Sequence, residues 1–240
     1  MRQDEVCTRI RAGLERDPRI NLHRSSVQVS RIGGRILLTG EVSDVITKRL
    51  ILSAVQLMIQ DGMGCEDRLN VATIERGDVE LNQLVASHLI EEPMFRDCTI
   101  AVHQHGLTTL LRRPAIDSGE AIEVSVSEGV IHLGGRVHSL AQARIAEVMC
   151  WWIPGVRRVD NRLEVTEFDI DSDGELTDVV RAVLEKDPLV HGSRLQAASA
   201  AGIVELRGSV ASQEALHVAL SDTWAVPGVW DVVNRVEVAA

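Results

Sequence analysis

Three groups of residues carry types and spacings that chemistry can use. Asp169-Ile170-Asp171-Ser172-Asp173-Gly174 reproduces the opening of a calcium loop, where carboxylates at alternate positions converge on one cation. The twelfth position of such a loop is a bidentate Glu, and here it is Val180. Asp169, Asp171 and Asp173 are therefore metal candidates beside a second reading: an acidic linker whose last carboxylates favour the following helix N-terminus. His103-Gln104-His105 places two imidazoles at i and i+2, which on a strand share a face and can hold a metal. Cys98 is the one further ligand near them in sequence, and the competing reading is surface histidines in a loop. Leu107-Thr-Thr-Leu-Leu111-Arg-Arg113-Pro114 mixes apolar and basic side chains. It reads either as a loop that touches a membrane or partner or as a longer hairpin on its own module.

No catalytic constellation accompanies these groups. Gly-x-Ser-x-Gly, a phosphate-cradling glycine loop and His-Glu-x-x-His are missing from the sequence. The expectation is a protein that is not an enzyme and needs no cofactor. A net charge of −10 repels phosphate backbones, which speaks against nucleic acid and against adhesion to anionic membranes by charge alone. The amino terminus, MRQDEVCTRIRAGLERDPRI, has no apolar signal core, and the longest apolar stretch (50–59) is too short to span a bilayer. Cys7, Cys65, Cys98 and Cys150 form no CxxC pair and are expected as free thiols, with Cys150 in a helical core position. These features predict a cytoplasmic protein without a transmembrane segment, periplasmic if a leader was removed.

The elements that hold these residues repeat three times. Gly34-Arg-Ile-Leu-Leu38-Thr-Gly40-Glu-Val42, Gly129-Val-Ile-His-Leu133-Gly-Gly135-Arg-Val137 and Gly202-Ile-Val-Glu-Leu206-Arg-Gly208-Ser-Val210 share glycines, leucine and valine at fixed offsets. Gly155 and Gly228, each after a proline, then precede Asp160-Asn-Arg-Leu-Glu-Val165 and Val233-Asn-Arg-Val-Glu-Val238. The first copy has Asp67-Arg-Leu-Asn-Val71 at that place. Upstream, apolar residues at helical spacing (Leu176, Val179, Val180, Val183, Leu184 in the third copy) open each unit. Asp17-Pro18, Glu92-Pro93 and Asp187-Pro188 stop those helices, because the residue before proline leaves the α region. Alternating apolar residues around Gly33-Gly34 and its counterparts predict a hairpin. Asp44, Ser139 with Gln142, and Ser212 are caps for a second helix, and a last strand follows.

The fold class is therefore α+β: three tandem α-β-β-α-β modules, each a small mixed three-stranded sheet covered by two helices. The expected boundaries are 3–73, 78–167 with an insertion near 101–121, and 174–240. Gly40, Gly135 and Gly208 are expected where the second strand hands over to the second helix. His132 stands on that strand where the other copies differ, which suggests an exposed face.

The pattern Gly-x-h-x-Leu-x-Gly-x-Val, a helix, Pro-Gly, then Asn-Arg-Leu-Glu-Val resembles the BON domain, and the resemblance runs from about Glu5 to Val238. The first copy departs from it by lacking the late proline, the second by its insertion. The resemblance implies small bacterial modules that are not enzymes, associated with envelope and osmotic-stress proteins and with phospholipid surfaces. Some relatives bind potassium. Two functions follow as expectations: an interaction array that docks on a phospholipid surface or protein partner, or a binder of an ion such as potassium or calcium.

The second helix of the first copy gives one more expectation. Arg49, Ser53, Gln56 and Gln60 form a polar stripe, and Ile51, Ala54, Val55 and Met58 should face the sheet. Apolar flanks remain, Ile46, Leu50 and Leu57 on one side and Val45, Leu52 and Ile59 on the other. A helix over one small sheet needs one apolar stripe. Ile46, Leu50 and Leu57, with Trp152 at Leu57's place in the second copy, are thus candidate interface residues, and self-association through the first module is one outcome.

Overall fold

The Gly33-Gly34 pair turns the chain between β1 (Ser26–Ile32) and β2 (Arg35–Val42), which run antiparallel with Val29 opposite Leu38. The structure, a computed structural model, describes residues 2–22, 25–59, 63–115, 118–166, 172–190 and 193–239. The chain divides into two units, Met1–Ala72 and Thr73–Ala240. In the first, α1 (Arg2–Arg16) precedes the hairpin, and α2 (Val45–Met58) and β3 (Cys65–Val71) follow it. Asp44 caps α2 by accepting from the Thr47 N–H at 2.7 Å. The helix lets β3 return parallel to β2, as a parallel pair requires. Ile10 and Leu14 of α1 and Ile51 and Val55 of α2 are buried with Val29, Leu38 and Leu69 of the sheet.

Two details of α2 differ from the sequence reading. Ala54 and Met58 are only half-buried, and Lys48 is buried in their stead. Lys48 Nζ donates to the Leu69 carbonyl and pairs with Asp67 Oδ2, each at 2.6 Å. Asp67 also accepts from the Leu69 N–H at 2.9 Å, as Asn161 accepts from Leu163 at 3.2 Å and Asn234 from Val236 at 2.9 Å. That local bond explains why Asp or Asn recurs there. Asn161 can also donate, and its Nδ2 reaches the Ala143 carbonyl of the second module's helix at 2.9 Å. An aspartate has no such donor, so in the first module Lys48 supplies it.

The second unit holds two modules. The first of these has α3 (Asp78–Glu91), a 3-10 turn at Pro93–Phe95, β4 (Thr99–Gln104), β5 (Leu107–Arg112), β6 (Ala121–Ser127), β7 (Val130–Val137), α4 (Leu140–Trp151), β8 (Arg158–Asn161) and β9 (Glu164–Val165). The other has α5 (Asp173–Lys186), β10 (Arg194–Ala200), β11 (Ile203–Val210), α6 (Gln213–Ala225) and β12 (Asp231–Val238). Ser139 and Gln142 form the expected capping box on α4, and Ser212 caps α6.

The expectation of three strands per sheet holds for β1-β2-β3 and β10-β11-β12 but not for the second module. There the insertion is itself a hairpin, and the sheet has six strands in the order β5-β4-β6-β7-β8, with β9 also on β7. β4 lies parallel to β6 and covers the edge that β1 and β10 leave open in their own sheets.

Gly40, Gly135 and Gly208 lie near the ends of β2, β7 and β11, not at the handover to the helix, with φ of +117°, +101° and +118°. There the backbone passes the first strand so closely that a Cβ would collide with the carbonyl oxygen of Ser26, Ala121 or Arg194. Gly34, Gly129 and Gly202 occupy the hairpin turns, and Gly155 and Gly228 follow the prolines after α4 and α6, all at positive φ. Within the second unit the two modules meet through their helices: α4 packs on α3, α5 and α6, and α5 on α6.

Candidate functional site

The β4–β5 hairpin carries the most exposed apolar strand of the second module. Leu107, Leu110 and Leu111 are 72%, 47% and 44% exposed. β5 pairs with β4 alone, so its outer side is an open edge among the described strands. Arg112 anchors this hairpin from beneath. Its guanidinium donates to the carbonyls of Ile90 at 2.9 Å, Cys98 at 3.3 Å and Phe95, beside the end of α3. Arg113 is exposed. The hairpin is thus rigidly seated and presents leucines outward.

Of the two readings of the histidine pair, the shared face is not formed. His103 lies on β4, but His105 sits in the turn at φ +50°. His103 Nε2 is 2.9 Å from Glu123 Oε2, and Thr108 Oγ1 is 2.8 Å from its Nδ1. Cys98 is buried and its thiol donates to Glu120 at 3.2 Å. Burial, then that bond, pushes the thiol up to about 12. Among the described residues no group of three His, Cys, Asp or Glu is placed to hold a metal ion. His132 lies half-exposed on β7, 3.2 Å from Asp160 Oδ2.

Of the calcium-loop candidates, Asp169 and Asp171 lie outside the described residues. Asp173 is the first residue of α5 and holds the β10–β11 turn: it accepts from the N–H groups of Ala201 at 2.9 Å and Gly202 at 3.1 Å. Ser199 Oγ donates to it at 3.2 Å. The two backbone donors hold its carboxyl below the usual range. Asp78, first in α3, does the same for Glu128 and Gly129 at 2.9 Å each. The shared role is a latch between helix and hairpin. The signal was present in the sequence, since both aspartates stand fourteen residues before an acidic-Pro pair.

Buried charges at the junction of the second and third modules went unforeseen. Arg144 is 3% exposed in side chain and pairs with Glu175 of α5. Lys186 Nζ reaches both oxygens of Glu92 at 2.9 Å. Trp152 Nε1 donates to Asp222 Oδ1 at 2.7 Å. Of the residues singled out for an interface, Trp152 is therefore in a contact between modules. Leu50 is buried, Ile46 half-buried and Leu57 85% exposed.

Asp222 gives this junction a pH dependence. Burial pushes its carboxyl up to about 7, against the Trp152 bond, with the nearby Asp187 adding to the rise. The unfolded chain loses this proton near pH 4, the folded one near 7. Asp222's contribution to stability is therefore greatest below pH 4, falls by up to about 1.4 kcal/mol per pH unit between those values, and is level above them. Urea titrations across pH 4–8 should show that fall in the wild type and a flatter profile in Asp222→Asn. Identical profiles would remove Asp222 from this role.

The family model for the BON domain matches residues 3–73, 107–167 and 172–240. This chain belongs to the BON domain family. Its second BON match begins on β5 and leaves α3 and β4 outside, although α3 packs on β4 and β6. A relative of these BON modules is the Osmotically-inducible protein Y of Escherichia coli (strain K12), 32% identical over 119 residues. The match takes in 47% of this chain and 59% of that protein's length. Among solved structures, the C-terminal domain of CdsD, a structural protein of the type III secretion system of Chlamydia trachomatis, aligns at 14% identity with a TM-score of 0.25. That alignment covers 96% of this chain and 95% of the CdsD chain.

Proposed function

We propose that this BON chain is a non-catalytic docking protein with a stress- or envelope-related role, and that its β4–β5 hairpin meets a phospholipid surface. The observation that carries the reading is the set of exposed leucines, Leu107, Leu110 and Leu111, on a hairpin fixed beneath by Arg112. The relative named for osmotic induction supports the stress setting. The module boundaries 3–73, 78–167 and 174–240 belong to the same proposal. Among the described residues no helix is long and apolar enough to cross a membrane. With a net charge of −10, attachment comes from inserting apolar side chains and not from attraction to anionic headgroups.

Each leucine buried in lipid contributes up to about 1.5–3 kcal/mol. Leu107→Glu with Leu110→Glu should therefore lower partitioning onto phosphatidylcholine vesicles by roughly tenfold or more, while added salt changes wild-type binding little. Cosedimentation reads both. Wild-type protein that stays in the supernatant, or a variant that pellets as well as wild type, overturns the assignment. The open edge of β5 supports a second reading, in which an extended segment of a protein partner adds as a strand. In that case vesicle binding is absent, and a proline at Thr109 abolishes capture of the partner.

A further inference from the structure

The helical face that joins the second module to the third exists in the first module as well, with both halves of its ion pairs on one surface. The second helices align on their caps, Asp44, Ser139 and Ser212. Arg49 then stands at the place of Arg144, Ser53 at that of Val148, and Leu57 at those of Trp152 and Ala225. The first helices align on Asp17-Pro18, Glu92-Pro93 and Asp187-Pro188, which puts Glu5 at the place of Glu175, and Arg16 at that of Lys186.

The stripe Arg144, Val148, Trp152 points away from its own sheet, since Ala146 and Cys150, buried on the same helix, lie on the opposite side. Arg144 and Val148 are buried because α5 and α6 cover them. The matching stripe of α2 is open at its end: Ser53 and Ala54 are half-buried and Leu57 is 85% exposed. Beside it, Glu5, Arg9, Gly13, Arg16 and Met58 line an open groove of about 610 Å³.

Charge complementarity identifies the occupant. Between the second and third modules the pairs are Arg144 with Glu175 and Glu92 with Lys186. Each takes one partner from each module. The first module carries Arg49 and Glu5, and Asp17 and Arg16, so two such surfaces related by a two-fold axis set each pair of opposite charges face to face twice. Asp17 already accepts from Arg19 at 2.9 Å and has lone pairs left for a second cation. Where Trp152 meets Asp222, Leu57 of one copy meets Ala54 of the other, an apolar contact with no buried carboxylate.

We infer that the first module is a homodimerisation surface: a second copy of this chain docks on the α1–α2 face, with Arg49 and Arg16 of each copy on Glu5 and Asp17 of the other. The test is sedimentation equilibrium of the full chain. The wild type should be a dimer. Leu57→Glu, at an exposed position, should be a monomer with an unchanged far-UV circular dichroism spectrum. Glu5→Arg alone and Arg49→Glu alone should each be monomeric, because each sets like charges against one another. Mixed together, the two should form a heterodimer, since every pair between them is again opposite in sign. A monomeric wild type, or a dimer that survives Leu57→Glu, overturns the inference. So does a mixture of two folded charge variants that stays monomeric.

Discussion

Gly208→Val should destabilise the second unit by about 3–5 kcal/mol, among the larger effects a single substitution has. Two costs add. The φ of +118° is one that valine rarely adopts, and its Cβ would meet the Arg194 carbonyl, which is backbone and cannot swing aside. At roughly 2–4 °C per kcal/mol for a unit of this size, the melting point should fall by roughly 10 °C. Ala211→Val, three residues on at an exposed bend, should stay within about 0.5 kcal/mol. Equal melting points for the two variants would show that the close strand approach is not what the glycine serves.

Arg144→Met should cost about 2–4 kcal/mol in urea denaturation of the same unit. Removing one member of a buried pair leaves the other charge uncompensated, and that usually costs about 3–5 kcal/mol. Glu175 keeps 19% of its side chain in water, which places the effect toward the lower end. Adding Glu175→Met should recover most of the loss, because the isolated carboxylate is then gone. Arg162 of the exposed pair with Asp160 is the contrast: its side chain is 73% exposed, and Arg162→Met should change stability by less than about 1 kcal/mol. A single-variant loss no larger than that of Arg162→Met would mean that the second and third modules are held by apolar contact alone.

The repeat was legible because its markers are backbone requirements. Gly40, Gly135 and Gly208 are fixed by a collision no side chain can avoid, and Asp44, Ser139 and Ser212 by orphan N–H groups at helix starts. The exact seat of those glycines was less clear, since strand and helix periodicities do not show where two backbones come closest. The hairpin of 99–112 was one of two readings of its segment, and its short, weakly alternating strands and exposed leucines kept the sequence from deciding between them. Arg144, Lys48 and Asp222 were missed for a different reason. A charged residue in a helix is read as surface, and what buries these three is a partner distant in sequence: Glu175, Asp67 and Trp152. Asp173 was legible as a carboxylate at a helix start, but its latch was not, because an acidic loop and a turn latch ask for the same residue type, and only the position of the Ala201 and Gly202 N–H groups separates them.

The two latches also differ in the length of chain that each one closes. Asp78 closes on an amide 50 residues away and Asp173 on one 28 away. Closing the longer loop costs about 0.5 kcal/mol more chain entropy. The extra length is the β4–β5 hairpin and its connections, so that segment should delay the docking of the second module's helix. The third module is therefore expected to complete its own ring first. It is then on hand as a folded wall with Glu175 and Asp222 in place when α4 arrives carrying Arg144 and Trp152. The more elaborate of the two neighbours thus matures against the simpler one, and a refolding experiment would see the third module's protection appear ahead of the second's.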